Sequence, residues 1–90
     1  MEKLTNHFYC VSIDSTDGSF GADDVFDTLN DAYEYCNSIV VGSTTLVFTI
    51  YEYFIDDMTL ESMDYSITSF FDFMDEFKHE IIDSFVKKFD

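Results

Sequence analysis

Ninety residues suffice for one domain with a single core, and a chain that is 47% apolar and 19% aromatic is expected to fold rather than remain disordered. Nineteen acidic residues against four lysines give a net charge of −15 at pH 7, which excludes nucleic acid and anionic membrane surfaces as direct partners, because binding to phosphate requires lysine or arginine. With two cysteines and neither a signal peptide nor a membrane-length apolar segment, the chain is expected to be cytoplasmic.

The first half of the chain predicts a strand followed by a helix. Residues Asn6–Asp14 alternate in side-chain character and are rich in aromatic and β-branched residues, which is typical of a strand. Residues Ser15–Gly21 contain the Ser, Asp and Gly of a turn. From Asp23 to Val40, apolar residues recur every three or four positions, so we expect an amphipathic helix that ends before Gly42.

The second half predicts a strand and a long helix. Residues Thr44–Ile55 form the most apolar stretch of the chain, with apolar side chains on both faces of the predicted strand, and Met58–Met63 predicts a short edge strand. A helix of about 24 residues is expected from Ser66 to Phe89, with Asp64 or Ser66 as its cap and two lysines in its last turn. Its predicted buried stripe is Ile67, Phe70, Phe71, Met74, Phe77, Ile81, Phe85 and Phe89.

The element order β-α-β-(β)-α predicts an α+β fold: a small two- or three-stranded sheet with a long C-terminal helix, in a single acidic domain spanning residues 1–90. A right-handed crossover should join two parallel strands. One helix layer covers only one face of the second strand. The other face, with Val47, Tyr51, Tyr53 and Ile55, is expected to be covered either by a homodimer partner or by the long helix.

The acidic residues form two rows when the predicted helices are drawn at 100° per residue. Each row places five carboxylates along about 16 Å of helix, one charge per 3–4 Å, which is close to the phosphate spacing along one strand of B-DNA. The Glu–Lys pairs that stabilise ordinary helix surfaces are almost absent. The expected partner-binding residues are Asp23, Asp24, Asp27, Asp31 and Glu34 in the first row and Asp72, Asp75, Glu76, Glu80 and Asp83 in the second. Further acidic residues lie around the second strand: Glu52, Asp56, Asp57, Glu61 and Asp64.

In size, charge and lack of arginine the whole chain resembles small phage proteins that imitate the phosphate backbone of duplex DNA, among them the anti-restriction protein that T-even phages direct at a host nuclease. The resemblance rests on charge, since such mimics share no motif. It implies an inhibitor in the cytoplasm of an infected cell that binds a basic DNA-binding protein or restriction nuclease. The alternative is a dedicated acidic inhibitor of one nuclease or toxin, of the immunity or antitoxin kind. Tyr51, Tyr53 or Phe73 could anchor the contact.

Metal sites and catalysis are not expected. If Gly18 is set at the sixth position of an EF-hand loop, Ile13 falls at the first position and cannot bind calcium. A zinc set of His7, Cys10, Cys36 and His79 lacks the usual paired spacing. A cysteine nucleophile requires an electropositive setting, whereas this chain is strongly negative. We therefore expect no enzyme activity, no metal and no cofactor.

Overall fold

The computed structural model describes residues 2–88, which form a four-stranded antiparallel sheet with helices on both faces. The strand order is β2-β1-β3-β4, and each neighbouring pair is antiparallel. A 3-10 turn at Met74–Glu76 precedes the last strand. The elements in chain order are β1 (His7–Ser15), β2 (Gly21–Phe26), α1 (Leu29–Ser38), β3 (Leu46–Phe54), α2 (Asp57–Ser62), α3 (Ile67–Phe73) and β4 (Lys78–Lys87).

Two separate cores lie on the two faces of the sheet, because successive side chains of a strand point to opposite faces. On one face, Phe8 and Tyr53 pack around Phe70 of α3, with ring centroids 4.9 and 4.8 Å from the Phe70 ring. On the other face, the buried side chains of the sheet pack against α1. The first core also contains Leu4, Cys10, Val25, Ile55 and Leu60, and the second contains Val11, Ile13, Ala32, Cys36, Leu46, Phe48 and Ile50.

Each α-helix begins at a side chain that accepts a hydrogen bond from its first turn. Thr28 Oγ1 accepts from the amide of Asp31, Asp56 Oδ1 from Thr59, and Ser66 Oγ from Ser69. These caps satisfy amides that have no partner within the helix, and each typically contributes about 1 kcal/mol. Ser66 is thus confirmed as a helix cap.

Two predicted strands are confirmed and the predicted architecture is wrong. The strands expected at residues 6–14 and 44–55 are present as β1 and β3. The sheet, however, has four strands rather than two or three, and they are antiparallel, so there is no parallel pair with a crossover among residues 2–88. The longest helix of this part of the chain, α1, has only ten residues.

The long C-terminal helix predicted from Ser66 to Phe89 is the largest error. The helix ends at Phe73, and residues 78–87 pair with β3 as β4. The four-residue spacing of Ile81 and Phe85 suits a helix, but this segment is also rich in β-branched and aromatic residues, and β3 offers it an edge with ladder hydrogen bonds. Phe89 lies outside the described residues.

Two shorter predictions are also wrong. The helix expected from Asp23 to Val40 begins only at Leu29, because residues 21–26 pair with β1 as β2 after the turn at residues 16–20. The edge strand expected at Met58–Met63 is instead the capped helix α2. The chain's own helices cover Tyr53 and Ile55 on one face of β3 and Phe48 and Ile50 on the other, so these residues need no dimer partner or wrapping helix. Val47, which the prediction also included, is half-buried and belongs to neither core.

Both cysteines should be unreactive in the folded protein. Each side chain is fully buried. Burial, together with the nearby carboxylates of Asp23 and Asp24, raises the pKa of Cys10 to about 12, and burial raises the pKa of Cys36. At pH 8 the thiolate fraction of Cys10 is therefore lower by about 10³-fold than that of an ordinary thiol. A chromogenic thiol reagent should label neither cysteine before unfolding and both in denaturant; rapid labelling of one native thiol would contradict this burial.

Candidate protein-binding surfaces

The exposed carboxylates are concentrated in two stretches of chain. Residues 14–34 and residues 56–76 each contain seven acidic residues and no lysine, arginine or histidine. All fourteen side chains are exposed. The first set, here called the β2–α1 acidic surface, is Asp14, Asp17, Asp23, Asp24, Asp27, Asp31 and Glu34. The second, called the α2–α3 acidic surface, is Asp56, Asp57, Glu61, Asp64, Asp72, Asp75 and Glu76.

The helices that carry the two acidic surfaces lie on opposite faces of the sheet. Helix α1 packs on the face that holds Val11 and Phe48, whereas α2 and α3 pack on the face that holds Phe8 and Tyr53. The β2–α1 acidic surface also extends along the β2 edge of the sheet. The whole body is elongated, with principal extents of 46 × 24 × 21 Å. Negative charge therefore covers two sides of an elongated body.

The first predicted row is divided between two adjacent elements rather than placed along one helix. Asp23 and Asp24 lie on β2 and point to opposite faces of the sheet, since they are neighbours on a strand. Asp27 lies in the connection to α1, and Asp31 and Glu34 lie about one turn apart on that helix. Asp31 is in the first turn, where the helix dipole favours a carboxylate.

The second predicted row does not exist as a row. Asp72, Asp75 and Glu76 stay together on α3 and the 3-10 turn. Glu80 lies on β4, directly opposite Glu52 of β3. Asp83 is half-buried, and its Oδ2 accepts a hydrogen bond of 2.8 Å from the hydroxyl of Tyr33 on α1. Asp83 thus has a structural contact, and the predicted helical arrangement of these five residues is wrong.

Two acidic residues of the β2–α1 acidic surface, Asp14 and Asp17, were not among the predicted binding residues. Asp17 accepts hydrogen bonds from the amide and the hydroxyl of Ser19, at 2.9 and 2.6 Å, which lower its pKa to about 2. It therefore remains ionised at any pH near neutrality. No lysine occurs anywhere in residues 14–34, and this feature of the sequence could have indicated that Asp14 and Asp17 belong to the same acidic surface.

Two carboxylates of the α2–α3 acidic surface also serve the fold. Asp56 caps α2, and its hydrogen bond from the Thr59 amide lowers its pKa. Asp57 Oδ1 accepts a hydrogen bond of 2.8 Å from the amide side chain of Asn6. The remaining five members of this surface, Glu61, Asp64, Asp72, Asp75 and Glu76, are better candidates for contact with a partner.

The few cations of the chain do not neutralise these surfaces. Within residues 2–88, the one ion pair closer than 4 Å joins Nε2 of His7 to Oε2 of Glu52, at 2.7 Å. Lys78 lies over the ring of Phe54, with 5.9 Å from its Nζ to the ring centroid. Lys87 donates hydrogen bonds to backbone carbonyls at the end of α1. None of the fourteen carboxylates therefore forms an ion pair within residues 2–88, and all of them remain exposed.

One of the three proposed aromatic anchors is suitably exposed. Phe73 is 53% exposed and lies in a shallow depression that Asp72, Asp75 and Glu76 also line. Tyr53 is only 1% exposed, so its prediction as an anchor is wrong. Tyr51 is half-buried.

Possible metal ligands are not grouped in the part of the chain that the structure describes. Between residues 2 and 88, no three His, Cys, Asp or Glu side chains are grouped to hold a metal ion. Cys10 and Cys36, both members of the zinc set considered above, belong to different cores. In the same part of the chain, none of the helices has the length and apolarity needed to cross a membrane.

Comparison of the chain with protein-family models, with curated proteins and with solved structures found no match.

Lys87 should stabilise the fold more than an exposed lysine does. Its Nζ donates to the carbonyl oxygens of Cys36 and Ile39, which end α1, where the helix dipole favours a cation. Lys87→Gln should lower the free energy of unfolding by about 1–2 kcal/mol, measured by urea denaturation. Lys3→Gln, which changes the net charge equally at an exposed position, is the control. Equal losses in the two variants would show that only net charge matters.

Proposed function

We propose that this protein is a DNA mimic, which binds a basic DNA-binding protein or restriction nuclease of a host cell and inhibits it. The observation that supports this proposal is the pair of acidic surfaces: fourteen exposed carboxylates on two sides of one elongated body, with no lysine within 4 Å of any of them in residues 2–88. A charge of this size costs stability through self-repulsion, which a partner of opposite charge would relieve.

The linear density of charge is within a factor of two of that of duplex DNA. Residues 2–88 contain eighteen acidic residues and four lysines, a net charge of −14. Over the 46 Å long axis this is about one net charge per 3.3 Å, compared with about 1.7 Å for duplex DNA and 3.4 Å for a single strand. A channel lined with lysine and arginine would therefore meet about half the linear charge density of duplex DNA, or about that of a single strand.

The carboxylates are also held on ordered backbone. Asp31 and Glu34 lie on α1, Asp72 lies on α3, and Asp23 and Asp24 lie on a strand that pairs with β1. A pre-ordered backbone loses little further conformational entropy on binding, so more of the electrostatic attraction appears as affinity.

In the mechanism we propose, carboxylates replace phosphates as acceptors for lysine and arginine. Hydrogen bonds between such charged groups are shorter and stronger than those between neutral groups. The long-range field of the acidic surfaces would steer association and make it fast at low salt. Inhibition would be stoichiometric, acting in the host cytoplasm by occupying the DNA-binding site without any chemical step.

A second candidate function is supported by Phe73. This aromatic side chain is exposed among three carboxylates of the α2–α3 acidic surface. Buried aromatic anchors often dominate the affinity of dedicated protein interfaces, whereas contacts that imitate phosphate depend mainly on charge. Phe73 therefore favours a dedicated inhibitor of a single nuclease or toxin as the alternative.

Neutralising one acidic surface at a time should locate the contact. One variant carries Asp23→Asn, Asp24→Asn, Asp27→Asn, Asp31→Asn and Glu34→Gln; its match carries Glu61→Gln, Asp64→Asn, Asp72→Asn, Asp75→Asn and Glu76→Gln. Both lose five charges, so each is the control for the other. Immobilised wild-type protein should retain host proteins eluted from duplex-DNA resin, and at least one variant should bind the main retained protein about 100-fold more weakly. Losses below about threefold in both folded variants would contradict the proposal.

Salt, duplex DNA and Phe73→Ala should separate the two candidate functions. If the protein is a DNA mimic, non-specific duplex DNA should displace the retained protein. The affinity of the mimic for that protein should fall by about 100-fold between 50 and 200 mM salt. This fall is smaller than that expected for DNA, because the mimic has the lower charge density. Phe73→Ala should then change affinity by less than about threefold, as should the control Phe20→Ala at another exposed phenylalanine. Resistance to duplex DNA together with a loss above about tenfold in Phe73→Ala alone would instead identify a dedicated inhibitor.

A further inference from the structure

The outer edge of β4 has no strand partner within residues 2–88. The sheet order places β4 beside β3 on one side only. In an edge strand, alternate backbone N–H and C=O groups point away from the sheet and can pair with another strand. With ten residues, β4 is the longest strand of the described chain. It therefore presents an extended set of hydrogen-bonding groups.

Apolar side chains accompany these backbone groups. Ile81 is 64% exposed, Val86 51% and Ile82 39%. Edge strands are ordinarily protected by proline or by outward charges, and the chain contains no proline. A bulge opposite Ile50 and Tyr51 adds twist in the middle of β4 but leaves paired segments on both sides of it.

Two charges that could protect this edge are directed toward α1. The carboxylate of Asp83 accepts a hydrogen bond from Tyr33, and the ammonium group of Lys87 bonds the last carbonyls of the helix. Both side chains are half-buried. They stabilise the packing of α1 and leave the middle of β4 without an outward charge.

Residues 78–88 are the part of the chain where charge is nearly balanced. They contain three of the four lysines, Lys78, Lys87 and Lys88, against Glu80 and Asp83, a net charge of +1. The rest of the chain carries −16. A basic partner gains little attraction at this edge, whereas two copies of this acidic chain meet here with the least mutual repulsion.

We infer that β4 pairs antiparallel with β4 of a second copy, forming a dimer with a continuous eight-stranded sheet. The opposite edge, β2, is six residues long and carries Asp23 and Asp24, so its charges oppose a similar contact. Because both copies use the same strand for the contact, the assembly is complete with two copies and does not grow into a fibre. Both acidic surfaces remain exposed in this dimer, because they lie on the faces of the sheet and at the β2 edge.

The salt dependence of this dimer is opposite to that of binding to a basic target. Two negative copies repel each other, and salt screens the repulsion. The dimer should therefore become tighter from about 0.05 to about 0.5 M salt, while affinity for a basic target falls. The measured salt dependence therefore distinguishes absence of the dimer from absence of binding to a basic target.

Sedimentation velocity over a range of protein concentrations tests the inference. The wild-type chain should reach twice its 10.5 kDa mass, with association stronger at higher salt. The double variant Ile81→Lys/Val86→Lys should sediment as a monomer with an unchanged circular dichroism spectrum. Val40→Lys/Met58→Lys, which adds the same charge at exposed positions outside β4, should dimerise like the wild type. A wild-type monomer at every concentration and salt, or a folded β4 variant that still dimerises, would overturn the inference.

Amide hydrogen exchange on the wild-type chain provides a second measurement if the β4 variant does not fold. Amides of residues 78–87 should exchange more slowly at high protein concentration, since the dimer buries those on the outer edge. Amides of β2 should show no dependence on concentration. Concentration-independent exchange in β4 would also overturn the inference.

Discussion

The burial of β3 on both of its faces is the constraint on which the rest of this structure depends. Phe48 and Ile50 point to one core and Tyr53 to the other, so the strand needs an apolar layer on each side. Short helices supply these layers, and their outer surfaces must be polar. Since all the charged residues of residues 14–76 are acidic, negative charge on both sides of the sheet follows from the burial of one strand.

The fold tolerates this excess of negative charge partly because individual charges lie where they stabilise it. Asp56 and Asp31 are at helix N-termini, where the dipole favours a carboxylate. Lys87 lies at the opposite end of α1, where a cation is favoured. His7 and the hydroxyl of Tyr9 bond Glu52, which faces Glu80 across two neighbouring strands. Asp17, Asp57 and Asp83 also accept hydrogen bonds within the fold, and the carboxylates of the two acidic surfaces remain exposed.

The sequence predicted the elements whose patterns are local and missed those decided by distant contacts. Alternation and β-branched content predict β1 and β3 correctly. In β4, Ile81 and Phe85 suit a helix as well as a strand, and the choice depends on the edge of β3, about 35 residues earlier. The exposure of the acidic residues followed from composition. The position of the two acidic surfaces relative to each other could not be predicted, because it depends on which face of the sheet each helix covers.

The pairing of β3 with β4 has a consequence for synthesis of the chain. The last described strand completes the sheet, so the nascent chain cannot close it until residues 78–87 have left the ribosome. Until then β3 has an open edge beside its apolar side chains, a condition that favours aggregation on crowded polysomes. Fifteen carboxylates between Lys3 and Lys78 have already emerged by that stage. Their mutual repulsion opposes contact between neighbouring unfinished chains, so the negative charge counteracts the aggregation that the open edge favours.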